Sequence, residues 1–223
     1  MDISLRLRRA AAMIKHPGIA DIGSDHALLP VYLAREGRLN KAIAVELNPG
    51  PFRRMKAAIA AAGLEGRITA ALGDGLAPVP LGEYGAAVLA GMGGMLIIGI
   101  LSRFPEKTRA FKQLVLQPQL DVYEVRKFIY SIGFFIDAEE MVFEDGKYYA
   151  VISALPGFAE EAPYSELEFR LGRKLIENGG EALKNYINNE ITLMEKIVAE
   201  IGGRAEKRAA ELRGRIIEYK SVM

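Results

Sequence analysis

Three carboxylates stand at similar intervals in the first third of the chain, each where a short apolar run gives out. Asp21 follows Ile19-Ala20 and leads into Ile22-Gly23-Ser24-Asp25-His26. Glu46 ends Ala42-Ile43-Ala44-Val45 twenty-five positions later and is followed by Leu47. Asp74 lies between Gly73 and Gly75, twenty-eight positions further on. In open α/β sheets, ligands bind in the crevice outside the carboxyl ends of the strands, so such tips face a small-molecule pocket. A row of carboxylates suits a ligand with hydroxyls, an amine and positive charge. Glu46 can accept from both ribose hydroxyls and Asp74 from an adenine exocyclic amine, at roughly 1.5–3 kcal/mol per charge-assisted bond. Gly23, with no Cβ, lets the backbone of the first tip come close to that ligand.

The same residues exclude other ligands. After Gly23 come Ser24, Asp25, His26, Ala27 and Leu28, so the Gly-x-Gly-x-x-Gly cradle of dinucleotide sites is missing. A pyrophosphate would meet two nearby carboxylates, whereas an ammonium and a sulfonium gain from them. The pattern therefore points to S-adenosyl-L-methionine, with Asp21, Gly23, His26, Glu46, Leu47, Asp74 and Gly75 around it. A fourth run ends in Leu89-Ala90-Gly91-Met92-Gly93-Gly94. Ala90, Gly91 and Met92 then lie where substrate meets the methyl donor. Methyltransferases acting on the adenine amino group place a polar residue, Pro-Pro and an aromatic there, and this chain has none. Covalent pyrimidine methylation needs a cysteine nucleophile, and the chain contains no cysteine. Oxygen or ring-nitrogen acceptors, or a small molecule, remain.

The elements that must position these groups are legible as alternation. Apolar runs at 19–22, 42–46, 68–72, 86–90 and 114–117 alternate with helix-like segments at 27–35, 50–62, 94–102 and 122–132. Near-continuous apolar strands separated by helices predict a parallel sheet covered on both faces. Gly63 and Gly133 stand at expected helix ends. The runs at 134–143 and 148–155 flank Asp145-Gly146 and predict an antiparallel hairpin. The expected fold is α/β: a Rossmann-like seven-stranded methyltransferase sheet over residues 1–157. Pro156, Gly157 and Pro163 read as a linker into a domain over 158–223. There Ile187, Ile191, Met194, Val198 and Ile201, then Ala205, Ala209, Leu212, Ile216 and Tyr219, keep heptad spacing on either side of Gly202-Gly203. That spacing predicts a C-terminal α-helical coiled-coil hairpin.

Half of the 223 residues are hydrophobic, enough for one sizeable core and an appendage. A net charge of +1 creates no global field for nucleic acid, although Arg6, Arg8 and Arg9 form a local basic group. If the first helix packs near the first strand, these arginines would flank the cofactor mouth and hold phosphates. No apolar run reaches membrane-spanning length. The expectation is a cytoplasmic monomer that needs neither metal nor membrane.

Several motifs together resemble one family. They are Ile3-Ser4-Leu5-Arg6-Leu7, Asp21 to Ala27, Ala42 to Glu46, Gly50-Pro51-Phe52, Gly73-Asp74-Gly75, Ala90 to Gly94, Leu116-Gln117-Pro118 and Glu144-Asp145-Gly146-Lys147. This set resembles the bacterial tRNA (adenine-22, N1)-methyltransferases over nearly the whole chain. Gln119, Ala150 and Leu171-Gly172-Arg173 stand where that family has Asn, Glu and Phe-Gly-Pro. The resemblance implies a class I methyltransferase fold, S-adenosyl-L-methionine as donor and tRNA as substrate. It also implies a mechanism. N1 of neutral adenine carries its own lone pair, so alignment and stabilisation of the emerging positive charge would dominate. Asp25 is the candidate for the electrostatic part, with His26 positioning cofactor or base and Arg6, Arg8 and Arg9 contacting RNA. Alternatives are a methyltransferase acting on another RNA or a small molecule, and a non-catalytic, nucleoside-sensing RNA-binding protein.

Overall fold

The apolar runs at 19–22, 42–46, 68–72, 86–90 and 114–117 all lie in strands, each too short for a stable helix. A computed structural model describes residues 3–157, 163–201 and 205–223. In chain order it contains α1 (Leu5–Met13), β1 (Gly18–Ile22), α2 (Leu28–Arg35), β2 (Lys41–Glu46), α3 (Pro49–Ala61), β3 (Ile68–Leu72), β4 (Ala86–Met92), α4 (Gly94–Arg103), α5 (Pro105–Ala110), β5 (Gln113–Pro118), α6 (Val122–Ser131), β6 (Phe134–Glu144) and β7 (Lys147–Pro156). The strands form one sheet in the order β3-β2-β1-β4-β5-β7-β6. The first five are parallel, and the β6–β7 hairpin enters antiparallel with β7 against β5.

Alternation along the strands splits the core between two faces. Ala42, Ala44, Ala86, Val88 and Val115 pack with Leu29, Leu33, Met55 and Ile59 of α2 and α3. Ile43, Val45, Ala87, Leu89, Leu114 and Leu116 pack with Ile97, Ile100, Val125 and Ile129 of α4 and α6. Local chemistry sets the helix limits: Ser4 caps α1, Pro49 occupies the first turn of α3, and Gly63 and Gly133 take positive φ after α3 and α6. Helix α1 packs on β5, β6, β7 and α2, and its Ala10, Ala11 and Met13 share a core cluster with Ile19 of β1.

The C-terminal part comprises α7 (Glu166–Leu171), α8 (Arg173–Asn178), α9 (Glu181–Ile201) and α10 (Glu206–Lys220). Ser165 and Glu168 form a reciprocal capping box at the start of α7. Ile187, Ile191, Met194, Leu212, Ile216 and Tyr219, all on the expected stripes, close α9 on α10. Of the expected linker and hinge, residues 158–162 and Gly202-Gly203 lie outside the described residues. Helices α8 and α9 rest on β6, so this part is fastened to the sheet. At that joint the Nε of Arg126 donates to Oε1 of Glu139 at 2.8 Å, and the guanidinium also donates to the carbonyls of Phe169 and Arg170. Both partners are only 1 % exposed. Gly172 follows at φ +90°, where a Cβ would sit 2.5 Å from Glu139 Oε2, so only glycine fits over the pair. Arg173 lies over the Tyr164 ring at 4.1 Å and pairs with Glu168 at 2.6 Å. Among the described residues no helix is long and apolar enough to cross a membrane.

Candidate active site at the strand ends

Two cavities open at the carboxyl ends of the parallel strands, and they share Gly23, Ala90 and Gly91. One, of about 260 Å³, is lined by Glu46, Leu47, Asn48, Gly73, Asp74, Gly75 and Met92, with Leu96 and Ile100 from α4. The other, of about 360 Å³, is lined by Asp21, Ser24, Asp25, Leu28, Leu29 and Gln117, with Ile3, Ser4, Arg6 and Leu7 from the start of the chain. The structure thus brings the acidic tips together across one cleft, with Asp21 on one side and Glu46 and Asp74 on the other.

The shared wall is built by backbone strain and its compensation. Gly23 has φ +73°, and its N–H and that of Ser24 both donate to the carbonyl of Val45, which ties the β1 tip to β2. A Cβ on Gly23 would come within 2.9 Å of the Met92 methyl. Between β4 and β5 the register pairs Ala90 with Gln117 and Met92 with Pro118, leaving Gly91 as the extra residue of a bulge. Gly91 has φ +76°, and its N–H, lost to the ladder, donates to the side-chain Oε1 of Gln117 at 3.0 Å. Gln117 is therefore a site residue that spacing could not reveal, because its partner lies in another strand.

Asp21 is 5 % exposed, and burial pushes its carboxyl up to about 6 against the opposing hydrogen bond from Ser24 Oγ. Among the described residues no lysine or arginine pairs with it. Glu46 is 8 % exposed, and one of its oxygens accepts the N–H of Asn48 at 3.1 Å. Asp74 is held by Arg103, the last residue of α4, through both guanidinium Nη atoms. Asp25, exposed and at φ +45°, reaches the wall of the larger cavity. Its Oδ1 lies 3.7 Å from both the His26 Nε2 and an Arg54 nitrogen. His26 itself lines neither cavity, and its side chain is 43 % exposed.

The arginines of α1 divide. Arg6 pairs with Glu144 at 2.7 Å and lies over the Tyr149 ring at 4.9 Å, which fixes it as wall. Arg8 lines a rim recess with Ile3, Ser4, Leu5 and Glu144, and Arg9 reaches Glu140 at 3.4 Å. Glu140, Glu144 and Tyr149 lie more than a hundred positions away in sequence, which is why sequence reading treats the three arginines as equivalent.

Comparison with known proteins agrees with this geometry. A family model described as tRNA (adenine(22)-N(1))-methyltransferase matches residues 19–221. The Bacillus subtilis (strain 168) tRNA (adenine(22)-N(1))-methyltransferase is 36% identical over 173 residues, covering 77% of this chain and 72% of that protein. The crystal structure of the B. subtilis m1A22 tRNA methyltransferase TrmK superposes with a TM-score of 0.89 at 31% identity, over 99% of this chain and 98% of that one. The M. capricolum TrmK in complex with S-adenosyl-homocysteine gives 0.86 at 28% identity, over 98% and 96%.

Proposed function

The chain belongs to the tRNA (adenine(22)-N(1))-methyltransferase family, and from that premise we propose how its two cavities share one reaction. It is an S-adenosyl-L-methionine-dependent enzyme that methylates N1 of adenine 22 in tRNA. The observation that carries our reading is the common wall of Gly23, Ala90 and Gly91 between an acid-tipped cavity and one edged by Asp25 and α1.

The residues present fit the cofactor. Among the described residues, Asp21 is a buried carboxylate without a cationic partner, and none of them lies within 4 Å of a Cβ on Gly91. Glu46 would hold the ribose hydroxyls, Asp74 the adenine amine, and Asp21 the cationic end, with Leu47, Gly75 and Met92 lining the space between. When bound, S-adenosyl-L-methionine supplies an activated methyl group. The cofactor would span the shared wall, its cationic end reaching Asp21 in the larger cavity, and the target base would enter that cavity at its Asp25 edge, having left its stack because N1 lies on the pairing edge. N1 brings its own lone pair, so no base or Lewis acid is required. Asp25 faces the charge that appears on the ring, and His26 and Arg54 position Asp25. The exposed Arg8 and Arg9 would contact phosphates while Arg6 holds the wall. We assign the tRNA body to α9 and α10, read residues 1–157 and 158–223 as catalytic and RNA-gripping domains, and take the working form to be a cytoplasmic monomer.

Incubating tRNA with the protein and isotope-labelled donor, then digesting for mass spectrometry, is expected to give labelled 1-methyladenosine. Labelled nucleosides other than this one, or none, would overturn the reading. Asp25→Asn is expected to lower kcat about tenfold, the equivalent of about 1.4 kcal/mol of barrier, while S-adenosyl-L-homocysteine binds within twofold of the unaltered protein.

Asp21 gives a pH signature. Its folded-state value near 6 exceeds the unfolded 3.8, so folding favours the protonated form and this contribution to stability is lost as pH rises between those values. A ligand cation beside the carboxylate favours the ionised form instead. S-adenosyl-L-homocysteine is therefore expected to bind roughly tenfold more weakly at pH 5 than at pH 7, since one unit of protonation linkage is a factor of ten. Calorimetry across that range, with Asp21→Asn as the flat control, checks the sign. A profile for the unaltered protein as flat as the control's would remove Asp21 from the cationic end.

A further inference from the structure

Helix α4 meets the adenine side of the site with one stripe of side chains. Leu96, Ile100 and Arg103, spaced four and three apart, lie on the same face. Leu96 and Ile100 line the smaller cavity, and a Cβ on Gly75 would sit 2.8 Å from an Ile100 methyl, so the helix presses directly on the Gly73-Asp74-Gly75 turn. Beyond that contact, Arg103 grips Asp74. One Nη meets Oδ2, and the other meets Oδ1 at 2.9 Å. The next helix secures the following residues, where Lys107 Nζ donates to the carbonyls of Leu76 at 2.9 Å and Ala77 at 2.7 Å.

We propose that Arg103 is the positioning residue by which this site selects a 6-amino purine over its 6-oxo counterpart. The inference rests on the reading of Asp74 as the partner of the adenine amine. A two-pronged guanidinium occupies one lone pair on each carboxylate oxygen and fixes the plane of the group. One lone pair on each oxygen remains, so Asp74 can still accept from an exocyclic N–H. Paired in this way it accepts and does not donate. An adenine amine satisfies it, whereas the carbonyl oxygen of a hypoxanthine ring would face it lone pair to lone pair, leaving both groups unsatisfied. Without Arg103, Asp74 would be free to turn and to hydrate, and that contrast would fade. Lys107 supplies the internal comparison, because it holds the same loop without touching the carboxylate.

Calorimetry with S-adenosyl-L-homocysteine and S-inosyl-L-homocysteine tests this on the full chain. The unaltered protein is expected to prefer the adenine form at least tenfold. Arg103→Leu is expected to shrink that ratio at least fivefold, mainly by weakening the adenine form. Arg103→Lys, which keeps the charge but loses the fork, should give an intermediate ratio. Lys107→Met should leave the ratio within twofold even if the protein melts lower. A ratio that survives both Arg103 substitutions but collapses in Asp74→Ala overturns the role of Arg103 and keeps that of Asp74. An equal collapse in Lys107→Met overturns it in favour of loop tightness alone. A preference near one in the unaltered protein, or one that Asp74→Ala leaves intact, overturns both assignments.

Discussion

Glu46→Ala is expected to weaken S-adenosyl-L-homocysteine binding about 100-fold or more while the protein still folds. The side chain ends β2, is 8 % exposed, and uses one oxygen on the N–H of Asn48. The other lone pairs remain for two ribose hydroxyls, and two charge-assisted bonds at roughly 1.5–3 kcal/mol each exceed the ~2.7 kcal/mol that 100-fold represents. Glu46→Gln keeps the shape but offers one acceptor oxygen without charge, so a loss of about tenfold is expected, in line with a neutral hydrogen bond replacing a charged one. Calorimetry measures both, and thermal melting of the unliganded protein separates binding from folding. A dissociation constant within threefold of the unaltered protein for Glu46→Ala would mean that the ribose lies elsewhere.

The largest effect on stability is expected from Glu139→Ala, a loss of about 3–5 kcal/mol, because it strands a buried guanidinium. Arg126 and Glu139 are each 1 % exposed, and among the described residues Glu139 Oε2 has no hydrogen-bond partner. Burial pushes the Glu139 carboxyl up, against the attraction and hydrogen bond of Arg126. The same reasoning makes the double substitution Arg126→Met with Glu139→Leu less damaging than Glu139→Ala alone, since it removes both charges. Urea midpoints for the single and double variants read the difference, and a Glu139→Ala loss below about 1 kcal/mol would show the guanidinium to be hydrated. Because the carbonyls of Phe169 and Arg170 also hold Arg126, cutting the chain before α7 would expose this joint. The RNA-gripping role proposed for α9 and α10 is therefore better tested by charge reversal on their outer faces than by deletion.

What could be read from sequence follows the range of the interaction. Strands β1 to β5 were legible because a doubly covered parallel strand is largely apolar, and acidic residues mark the ends of β1, β2 and β3. The antiparallel hairpin was legible from Asp145-Gly146, both at positive φ. Strand β4 runs to Met92, beyond the expected Ala90, because a bulge at Gly91 lets the ladder resume, and no local pattern encodes that. Gln117 was visible only as part of a motif, and its bond to Gly91 needs the β4–β5 register. Arg6 reads as a free cation until the fold brings Glu144 and Tyr149 beside it. His26 sits next to Asp25 in sequence, with Asp25 and Ala27 both at positive φ, yet only Asp25 of this turn's pair lines a cavity.

The partition between the two chambers consists of two glycines and one alanine. A doorway so bare offers almost no side-chain surface on which new preferences could be written, and under the proposed reaction any enlargement there would obstruct the methyl group's path. Changes in which nucleotide is admitted must therefore arise at the outer threshold, where Ile3, Ser4 and Leu7 meet Asp25, leaving the passage itself as the part least free to vary.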